Sequence, residues 1–259
     1  MKKKILIIGG DSYIGNYLSK AFAKNYHVHK TSRRNILKKT IYLDLVNIKK
    51  KDFAFNKIKN VSVAIFCAGI TKNKVCEGKK LISKKINVHN TINFIDQLLK
   101  KKIRVIFISS DSVFSDNTFF NKADSKTNPR NLYGLHKFLV EMRFKNKKNI
   151  SILRLSKVFD IGCDLYLLWK NIINNKRNLR LYENYYIWPI RLSKVSKAID
   201  QIIKKKNNGI YHLRGERRFS YYSLAKKYFP SYKRIFLIKK KNEIYHRPKL
   251  QISKIFNKI

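Results

Sequence analysis

The first strand and the glycine-rich turn after it constrain the fold of this chain more than any other feature. Residues 4–8 (KILII) are mostly apolar, residues 9–15 have the sequence GGDSYIG, and a helix-like segment follows. A strand, a glycine turn and a helix in this order let the backbone approach a pyrophosphate closely and point the helix amino terminus at its negative charge. The pattern predicts a dinucleotide site whose phosphates are held mainly by main-chain N–H groups.

Apolar runs alternate with helix-like segments in the first part of the chain. This alternation predicts an α/β fold, a Rossmann-like doubly wound parallel sheet with helices on both faces. We expect residues 1–160 to form this NADP-binding unit and residues 161–259 to form a small substrate-binding lobe interleaved with it. The predicted strands are 4–8, 27–32, 41–44, 61–67, 103–109 and 150–155, and the predicted helices are 13–24, 79–101 and 132–143.

A second pattern lies between the fifth predicted strand and the helix after it. Tyr133 and Lys137 are four residues apart and share one helix face, so the ammonium can favour the ionised form of the phenol. Ser110 ends the preceding strand, where its hydroxyl can hold a carbonyl oxygen. Tyr-x-x-x-Lys is also expected by chance in an ordinary amphipathic helix of a chain this rich in tyrosine and lysine. Combined with the glycine turn, it predicts carbonyl reduction with Tyr133 as the proton donor.

The order and separation of these motifs resemble the extended short-chain dehydrogenase/reductase family of nucleotide-sugar enzymes. Gly9, Ser12 and Gly15 fall on the family's Gly-x-x-Gly-x-x-Gly, with serine in the middle place. That serine adds a side chain where the cofactor passes closest, which bears on cofactor geometry. Residues 44–45, 68–69, 87 and 153–155 continue the match in register. The resemblance implies cofactor contacts from Gly9, Ser12, Tyr13, Ile14, Gly15, Asp44, Leu45, Ala68, Gly69 and Lys137.

Asn87 completes the catalytic set that the resemblance implies, together with Ser110, Tyr133 and Lys137. In the resembling family an asparagine at this place interrupts the helix and relays protons through water to the lysine. The alternative is a solvated helix asparagine, since this chain is rich in asparagine. For Asp44, the alternative to an adenine contact is a strand-end cap.

The segment after the second strand bears on the choice of cofactor. It carries Arg33 and Arg34 and no acidic residue. An acid there would bind the ribose hydroxyls of NAD, whereas an arginine accommodates the 2′-phosphate of NADP. The arginines therefore favour NADP(H) over NAD(H); the alternative is two more basic residues in a basic chain.

Two blocks narrow the family resemblance. Residues 108–115 (ISSDSVFS) resemble the Ser-Thr-Asp-Tyr-Val-Phe block of dTDP-4-dehydrorhamnose reductases, and residues 129–134 (PRNLYG) resemble their Pro-x-Asn-Val-Tyr-Gly. Ser112 stands where the sugar dehydratases carry glutamate and the reductases tyrosine. The resemblance implies NADPH-dependent reduction of a 4-keto nucleotide-sugar. Two alternatives stay open: an epimerase with retained NAD(P), and a catalytically silent or RNA-binding protein on the same fold.

The aromatic segment 181–191 resembles the part of the family that contacts the nucleotide-sugar. Tyr186, Trp188 and Arg191 are expected to stack on a base and pair with a diphosphate. Asp111 and Arg154 complete the predicted substrate-binding set. The alternative is a buried aromatic cluster beside a surface arginine.

The net charge of +44 comes from 59 lysines and arginines against 15 aspartates and glutamates. Nucleic-acid binders usually concentrate basic residues on one face with stacking aromatics, whereas here lysine is spread through almost every predicted helix beside abundant asparagine and isoleucine. This mixture favours an AT-biased composition over selected polyanion binding, which stays the alternative. Non-specific binding to polyanions is expected in either case.

The remaining patterns bear on setting and assembly. No apolar stretch approaches the roughly 20 residues of a membrane span, the first apolar run is short of the roughly 7–15 residues of a signal-peptide core, and Cys67, Cys76 and Cys163 lack metal-ligand spacing. We expect a cytoplasmic protein with no metal site and no membrane contact. In the resembling family, the helices predicted at 79–101 and 132–143 form the dimer contact. Their lysines would repel across a two-fold axis, so a weak homodimer is expected.

Overall fold

The computed structural model describes residues 2–34, 40–48, 58–116, 118, 120–239 and 245–256. Strands and helices alternate through the first two thirds of this part of the chain. The strands are β1 (Lys4–Ile8), β2 (His27–Ser32), β3 (Ile41–Tyr42), β4 (Val61–Phe66), β5 (Arg104–Ser110), β6 (Ile150–Leu155), β7 (Leu179–Tyr182), β8 (Tyr185–Ile187), β9 (Gly209–Leu213), β10 (Phe219–Ser220), β11 (Ile235–Ile238) and β12 (Tyr245–His246).

The α-helices cover both faces of the sheet and the carboxyl-terminal region. A 3₁₀ turn at Asp111–Val113 follows β5 directly, and a second one lies at Lys254–Phe256. The α-helices are α1 (Tyr13–Phe22), α2 (Asn73–Gly78), α3 (Lys80–Lys84), α4 (Thr91–Lys100), α5 (Leu132–Phe144), α6 (Asp164–Asn174), α7 (Leu192–Lys205) and α8 (Tyr221–Tyr228).

Seven strands form one parallel sheet in the order β3-β2-β1-β4-β5-β6-β9. The chain winds outward from β1 in one direction and from β4 in the other, which is the doubly wound arrangement. The side chains of β1 show why the sheet is buried on both faces. Ile5 and Ile7 join the core under α1 and α7, and Leu6 and Ile8 join the core under α4 and α5. The predicted Rossmann-like α/β fold is confirmed.

The predicted helix 79–101 is interrupted. Between α3 and α4, Lys85–Asn90 form a π-helical turn, a local insertion that is frequent at functional sites. Asn87 lies in this turn, and its amide bonds the backbone of Ile70 in a neighbouring loop. The side chain thus takes part in tertiary contacts that the helical pattern of the sequence does not reveal.

The third strand is shorter than predicted. β3 ends at Tyr42, and the carboxylate of Asp44 accepts a hydrogen bond from the backbone N–H of Val46 at 2.8 Å. Such a local bond between a side chain and the backbone competes with strand pairing, which accounts for the early end of the strand.

Residues after 160 contribute to both the main sheet and smaller sheets. β9 completes the parallel sheet and α7 packs on it, while β10-β8-β12 and β11-β7 form two small sheets. A third core, which includes Phe159, Trp169 and Leu224, packs these small sheets against α6 and α8. The division of the chain at residue 160 stays a prediction. Across the ranges given above, no helix is long and apolar enough to cross a membrane.

Candidate active site

The turn after β1 is built for close backbone contacts. Gly9 has a φ of +77°, and a Cβ there would lie 2.8 Å from the Cα of Ala68, in the turn after β4. A Cβ on Gly15 would lie 2.1 Å from the Gly9 carbonyl oxygen. Both positions require glycine. The amino terminus of α1 therefore lies directly against the carboxyl end of β1, an arrangement that fits a dinucleotide pyrophosphate.

Ser12, in the middle place of the motif, closes this turn. Its hydroxyl donates to the Gly9 carbonyl at 2.7 Å and accepts from the Gly15 N–H at 3.1 Å, which caps α1. The Tyr13 hydroxyl donates to a carbonyl in the loop before α6, at 3.3 Å, and Ile14 packs against the core under α1. Because these side chains are engaged within the protein, Tyr13 and Ile14 can contact a phosphate only through their main-chain N–H groups.

Arg33 and Arg34 are both exposed, and they follow β2 at the end of the sheet where the glycine turn lies. The Arg34 guanidinium lies 3.8 Å from the carboxylate of Asp11 in the glycine turn, and its side chain is 68% exposed. An ion pair as exposed as this contributes about 0–1 kcal/mol. Turning Arg34 toward a 2′-phosphate would therefore cost little.

Asp44 and Leu45 organise the loop after β3. The Asp44 carboxylate bonds the N–H of Val46, so the contacts favour the strand-end cap over an adenine contact. Leu45 is 7% exposed, and its carbonyl accepts a hydrogen bond from the Asn90 amide at 2.7 Å. Leu45 thereby connects the loop after β3 to the π-helical turn.

Asn87 and Gly69 fix the backbone conformation of the turn after β4. The Asn87 amide accepts from the Ile70 N–H at 2.8 Å and donates to the Ile70 carbonyl at 2.9 Å. Gly69 has a φ of +142°, and a Cβ there would lie 2.9 Å from the amide oxygen. Asn87 is 7% exposed, so the solvated alternative is wrong. Its nearest partner on α5 is His136, at 3.4 Å between the amide nitrogen and Nδ1.

A glycine brings Tyr133 next to Ser110. Asn131 caps α5 by accepting a hydrogen bond from the Gly134 N–H at 2.8 Å. A Cβ on Gly134 would lie 2.0 Å from the Ser112 carbonyl oxygen, so only glycine allows α5 to approach the turn after β5 this closely. Tyr133 is one residue earlier, and its phenol lies close enough to the Ser110 side chain for Ser110 to lower the pKa of the phenol. The two hydroxyls therefore converge at the carboxyl end of β5.

Lys137 lies one helical turn beyond Tyr133, as the spacing predicts. Its ammonium donates to the Ile108 carbonyl at 2.7 Å and lies 5.8 Å from the centre of the Tyr133 ring. Burial lowers the pKa of Lys137 to about 8, against the raising effect of Cys67. The ammonium is therefore held against β5.

Arg247 is one cation that acts on the phenol. Burial, with a further contribution from the Asp111 carboxylate, raises the pKa of Tyr133 to about 12, while Arg247 and Ser110 lower it. The lowering effect that the sequence assigns to Lys137 stays a prediction. At neutral pH the phenol is protonated, which is the form that a general acid needs.

Asp111 is engaged by this arginine. Its carboxylate is 1% exposed and bonds two nitrogens of the Arg247 guanidinium, and it also accepts from the Ser110 hydroxyl at 3.0 Å. The predicted substrate contact of Asp111 is therefore occupied by a side chain of the protein itself. Asp111 lies beside the reacting groups but is shielded from solvent.

Arg154 is a structural residue, which corrects its assignment to substrate binding. It is 3% exposed, and its Nε and Nη2 donate to Glu141 at 2.6–3.1 Å. Its Nη1 donates to the Ala123 carbonyl at 3.1 Å and lies 3.0 Å from His212 Nε2. With all three nitrogens engaged in the interior, Arg154 ties β6 to α5 behind the site.

In the aromatic segment, the alternation of side chains along β8 places Tyr185 and Tyr186 on opposite faces of the strand. Tyr185 stacks on Tyr221 and Tyr245, with ring centres 5.6 Å and 6.4 Å away. Arg247 and Asp111 both affect its pKa, which burial raises to about 12. Tyr186 is on the other face of the strand and stacks on His246 at 5.1 Å. Tyr185 therefore lies on the face of β8 that carries Tyr245, whereas Tyr186, predicted to stack on a base, lies on the opposite face.

Trp188 and Arg191 differ in their burial. Trp188 is 8% exposed, and Arg214 and Lys249 lie over its ring at 4.6 Å and 4.9 Å from the centre. Arg191 is exposed at the amino-terminal end of α7. These contacts favour the alternative of a buried aromatic cluster beside a surface arginine.

Sequence reasoning missed Arg247, Tyr185 and Lys157 as members of the site. Lys157 follows β6 by two residues, and β6 pairs with β5 so that Leu155 lies opposite Ser110. Burial lowers the pKa of Lys157, and Arg247 lowers it further. A polar residue just past the carboxyl end of the strand beside β5 was the signal that could have identified Lys157.

Comparison with known proteins identifies the family. The sequence pattern described as "RmlD substrate binding domain" matches residues 2–236. The chain belongs to this family. A curated relative, methionine adenosyltransferase 2 subunit beta of Xenopus tropicalis, is 22% identical in an alignment of 237 residues that covers 86% of this chain and 70% of that protein. A match to protein Ycf2 of Physcomitrium patens, 30% identical over 197 residues, covers 70% of this chain but only 8% of that protein.

Solved structures share the fold of this RmlD-like chain. A hypothetical dTDP-4-dehydrorhamnose reductase from Sulfolobus tokodaii has a TM-score of 0.84 at 24% identity and covers 100% of this chain and 95% of its own. The Bacillus anthracis dTDP-4-dehydrorhamnose reductase in complex with NADP scores 0.81 at 20%, with coverage of 97% and 89%. UDP-glucose 4-epimerase from Thermotoga maritima, with UDP-glucose, scores 0.82 at 15%, with coverage of 97% and 90%. The fold is that of dTDP-4-dehydrorhamnose reductases, and it is shared with nucleotide-sugar epimerases.

Proposed function

We propose that this protein is an NADPH-dependent reductase of a 4-keto nucleotide-sugar. The observation that carries the proposal is the convergence of the Ser110 and Tyr133 hydroxyls at the carboxyl end of β5. Two features support it: the glycine turn that fits a pyrophosphate, and the buried ammonium of Lys137 one helical turn from the phenol. Family membership and the fold supply the substrate class.

Each catalytic side chain has a distinct task in this proposal. A bound nicotinamide supplies the hydride. Ser110 donates a hydrogen bond to the keto oxygen, and Tyr133 transfers its proton to that oxygen as negative charge develops. Lys137, whose pKa is about 8, carries a positive charge at neutral pH and holds the nicotinamide ribose. Asn87 orients the loop after β4 beside them.

The cofactor preference rests on Arg33 and Arg34. Both are exposed at the end of β2, and among the described residues the Arg34 guanidinium has a long contact to Asp11. Either guanidinium can pair with a 2′-phosphate through charge-assisted hydrogen bonds. We therefore propose NADP(H) as the cofactor in preference to NAD(H).

A substrate screen tests the proposal. The purified protein is given dTDP-, UDP- and GDP-linked 4-keto-sugars in turn, and NADPH oxidation is followed by absorbance. We expect turnover with at least one of them, and loss of that turnover in Tyr133→Phe. No oxidation of NADPH with any 4-keto nucleotide-sugar would refute the proposal.

An epimerase is the second candidate, because the Thermotoga maritima epimerase shares the fold over 97% of this chain. An epimerase oxidises and then reduces the same sugar, so it keeps its cofactor through purification. Nucleotide released from the denatured protein identifies this case. A cofactor-free protein that consumes external NADPH supports the reductase.

A further inference from the structure

Arg247 reaches the catalytic groups from the far end of the chain. It follows β12, which pairs in parallel with β8, and its N–H donates to the Tyr186 carbonyl at 2.9 Å. Because side chains alternate along a strand, Arg247 projects to the same face as Tyr245. On that face it meets Asp111 and Ser112, in the turn directly after β5.

The contacts form a polar chain from Arg247 to Ser110, beside the phenol. The guanidinium bonds both carboxylate oxygens of Asp111 and donates to the Ser112 hydroxyl at 2.6 Å. The Ser112 hydroxyl lies 3.1 Å from the Ser110 hydroxyl, and Ser110 lowers the pKa of the Tyr133 phenol. The Arg247 side chain is 23% exposed and the Asp111 side chain 1% exposed. A pair this buried has a fixed geometry and little competition from water.

We propose that Arg247 is a positioning residue of the active site: it holds Asp111 and Ser112, and through Ser112 it directs the Ser110 hydroxyl at Tyr133. The role of these hydroxyls in catalysis rests on the proposed function. The contacts do not depend on it. Arg247 also offsets the Asp111 charge, which would otherwise act unbalanced on the phenol. The carboxyl-terminal segment is thereby part of the site.

Other groups near Arg247 and Tyr133 do not replace this cation. The phenols and the thiol nearby have pKa values raised by burial and stay neutral at pH 7. The nearby amines donate no hydrogen bond to Asp111 among the contacts of the described residues; Lys137 is bound to the Ile108 carbonyl. The other titratable groups around Arg247 and Tyr133 are Cys76 from α2, Lys137 from α5, Lys157 after β6, Tyr185 from β8 and Tyr221 from α8.

Arg247→Gln and a matched control test the proposal. The control is Arg104→Gln, at the opposite end of β5 from Ser110, where the guanidinium donates to the Asn207 carbonyl at 3.1 Å. Two readouts are used: kcat and KM with the keto-sugar, and ¹⁹F NMR titration of fluorotyrosine-labelled protein, with the Tyr133 signal assigned by Tyr133→Phe. The titration needs no substrate, so it answers even if the proposed reaction is wrong.

In Arg247→Gln we expect the Tyr133 midpoint to rise by about one pH unit, the lower end of the effect of a nearby charge. We expect kcat to fall about tenfold or more, with KM changed less. Arg104→Gln should match the wild type in both. An unchanged Tyr133 midpoint together with wild-type kcat in Arg247→Gln would overturn the inference, and turnover by the wild type would then leave the proposed function standing.

The double variant Arg247→Gln/Asp111→Asn separates positioning from loss of folding. It removes both buried charges, so it avoids the unpaired carboxylate that could unfold the single variant. Its Tyr133 midpoint should return toward the wild-type value, while kcat stays low because Ser112 has lost its donor. A double variant with wild-type kcat would overturn the positioning role.

Discussion

Replacing Arg154 with methionine tests the conclusion that this residue is structural. Arg154 and Glu141 are each 3% exposed, and their side chains are joined by contacts of 2.6–3.1 Å. Glu141 also accepts from the Ser109 hydroxyl at 2.5 Å. In the variant, that hydroxyl is the one remaining hydrogen-bond partner of this buried carboxylate among the described residues. Removing one partner of such a pair costs about 3–5 kcal/mol.

Urea denaturation followed by tryptophan fluorescence measures this cost. With a denaturant slope of about 3 kcal/mol/M for a chain of this size, a loss of about 4 kcal/mol lowers the midpoint by about 1.3 M. The double variant Glu141→Gln/Arg154→Met should recover most of the loss, because neutral replacement of a buried pair is often tolerated. Arg143→Met is the control: its pair with Asp96 is 46% exposed on the arginine side, and its loss should cost about 1 kcal/mol or less.

The outcome separates a structural from a substrate-binding role. A structural Arg154 predicts a large loss of unfolding free energy with little change in sugar KM for the fraction that is folded. A cost below about 1 kcal/mol together with a strongly raised KM would refute the reasoning. It would show that the guanidinium faces the substrate.

Three further expectations concern catalysis, cofactor and assembly. Tyr133→Phe should lower turnover by roughly 10²–10⁴, the range for losing a general acid, with NADPH affinity by fluorescence titration unchanged; equal loss of both would contradict the assigned role. Replacing Arg33 and Arg34 with alanine should remove a preference for NADPH over NADH of about ten- to hundred-fold in dissociation constant, whereas equal wild-type affinities would refute the arginine assignment. Sedimentation should detect a weak homodimer that salt strengthens, since Ile82 and Met142 are 46% and 45% exposed on α3 and α5 among many lysines; a monomer at every ionic strength would exclude it.

Local sequence patterns predict several residues of the candidate site. The spacing of Gly9 and Gly15 can be recognised in the sequence because a Cβ on Gly15 would meet the Gly9 carbonyl oxygen within the same turn. The proximity of Tyr133 and Lys137 can be predicted because helical spacing alone puts them on one face. Ser110 follows from being at the end of a strand. Each of these inferences needs only a few neighbouring residues.

The sequence does not determine which face of a strand a side chain occupies or how deeply it is buried. Tyr185 and Tyr186 are both aromatic, and only the pairing of β8 with β10 and β12 determines which one lies on the same face as Arg247. Arg154 sits at a strand end that suggests a ligand, yet Glu141 on α5 pairs with it in the interior. In each case a residue distant in sequence decides the outcome.

The sequence by itself determined the doubly wound sheet and the placement of Ser110, Tyr133 and Lys137, because strand and helix periods act over a few residues. Only the tertiary structure decided the electrostatics of the phenol. Arg247 lies 136 residues from Asp111 along the chain, and no period or spacing links the two positions. Their contact exists because β12 pairs with β8, and that pairing depends on the packing of the whole carboxyl-terminal region.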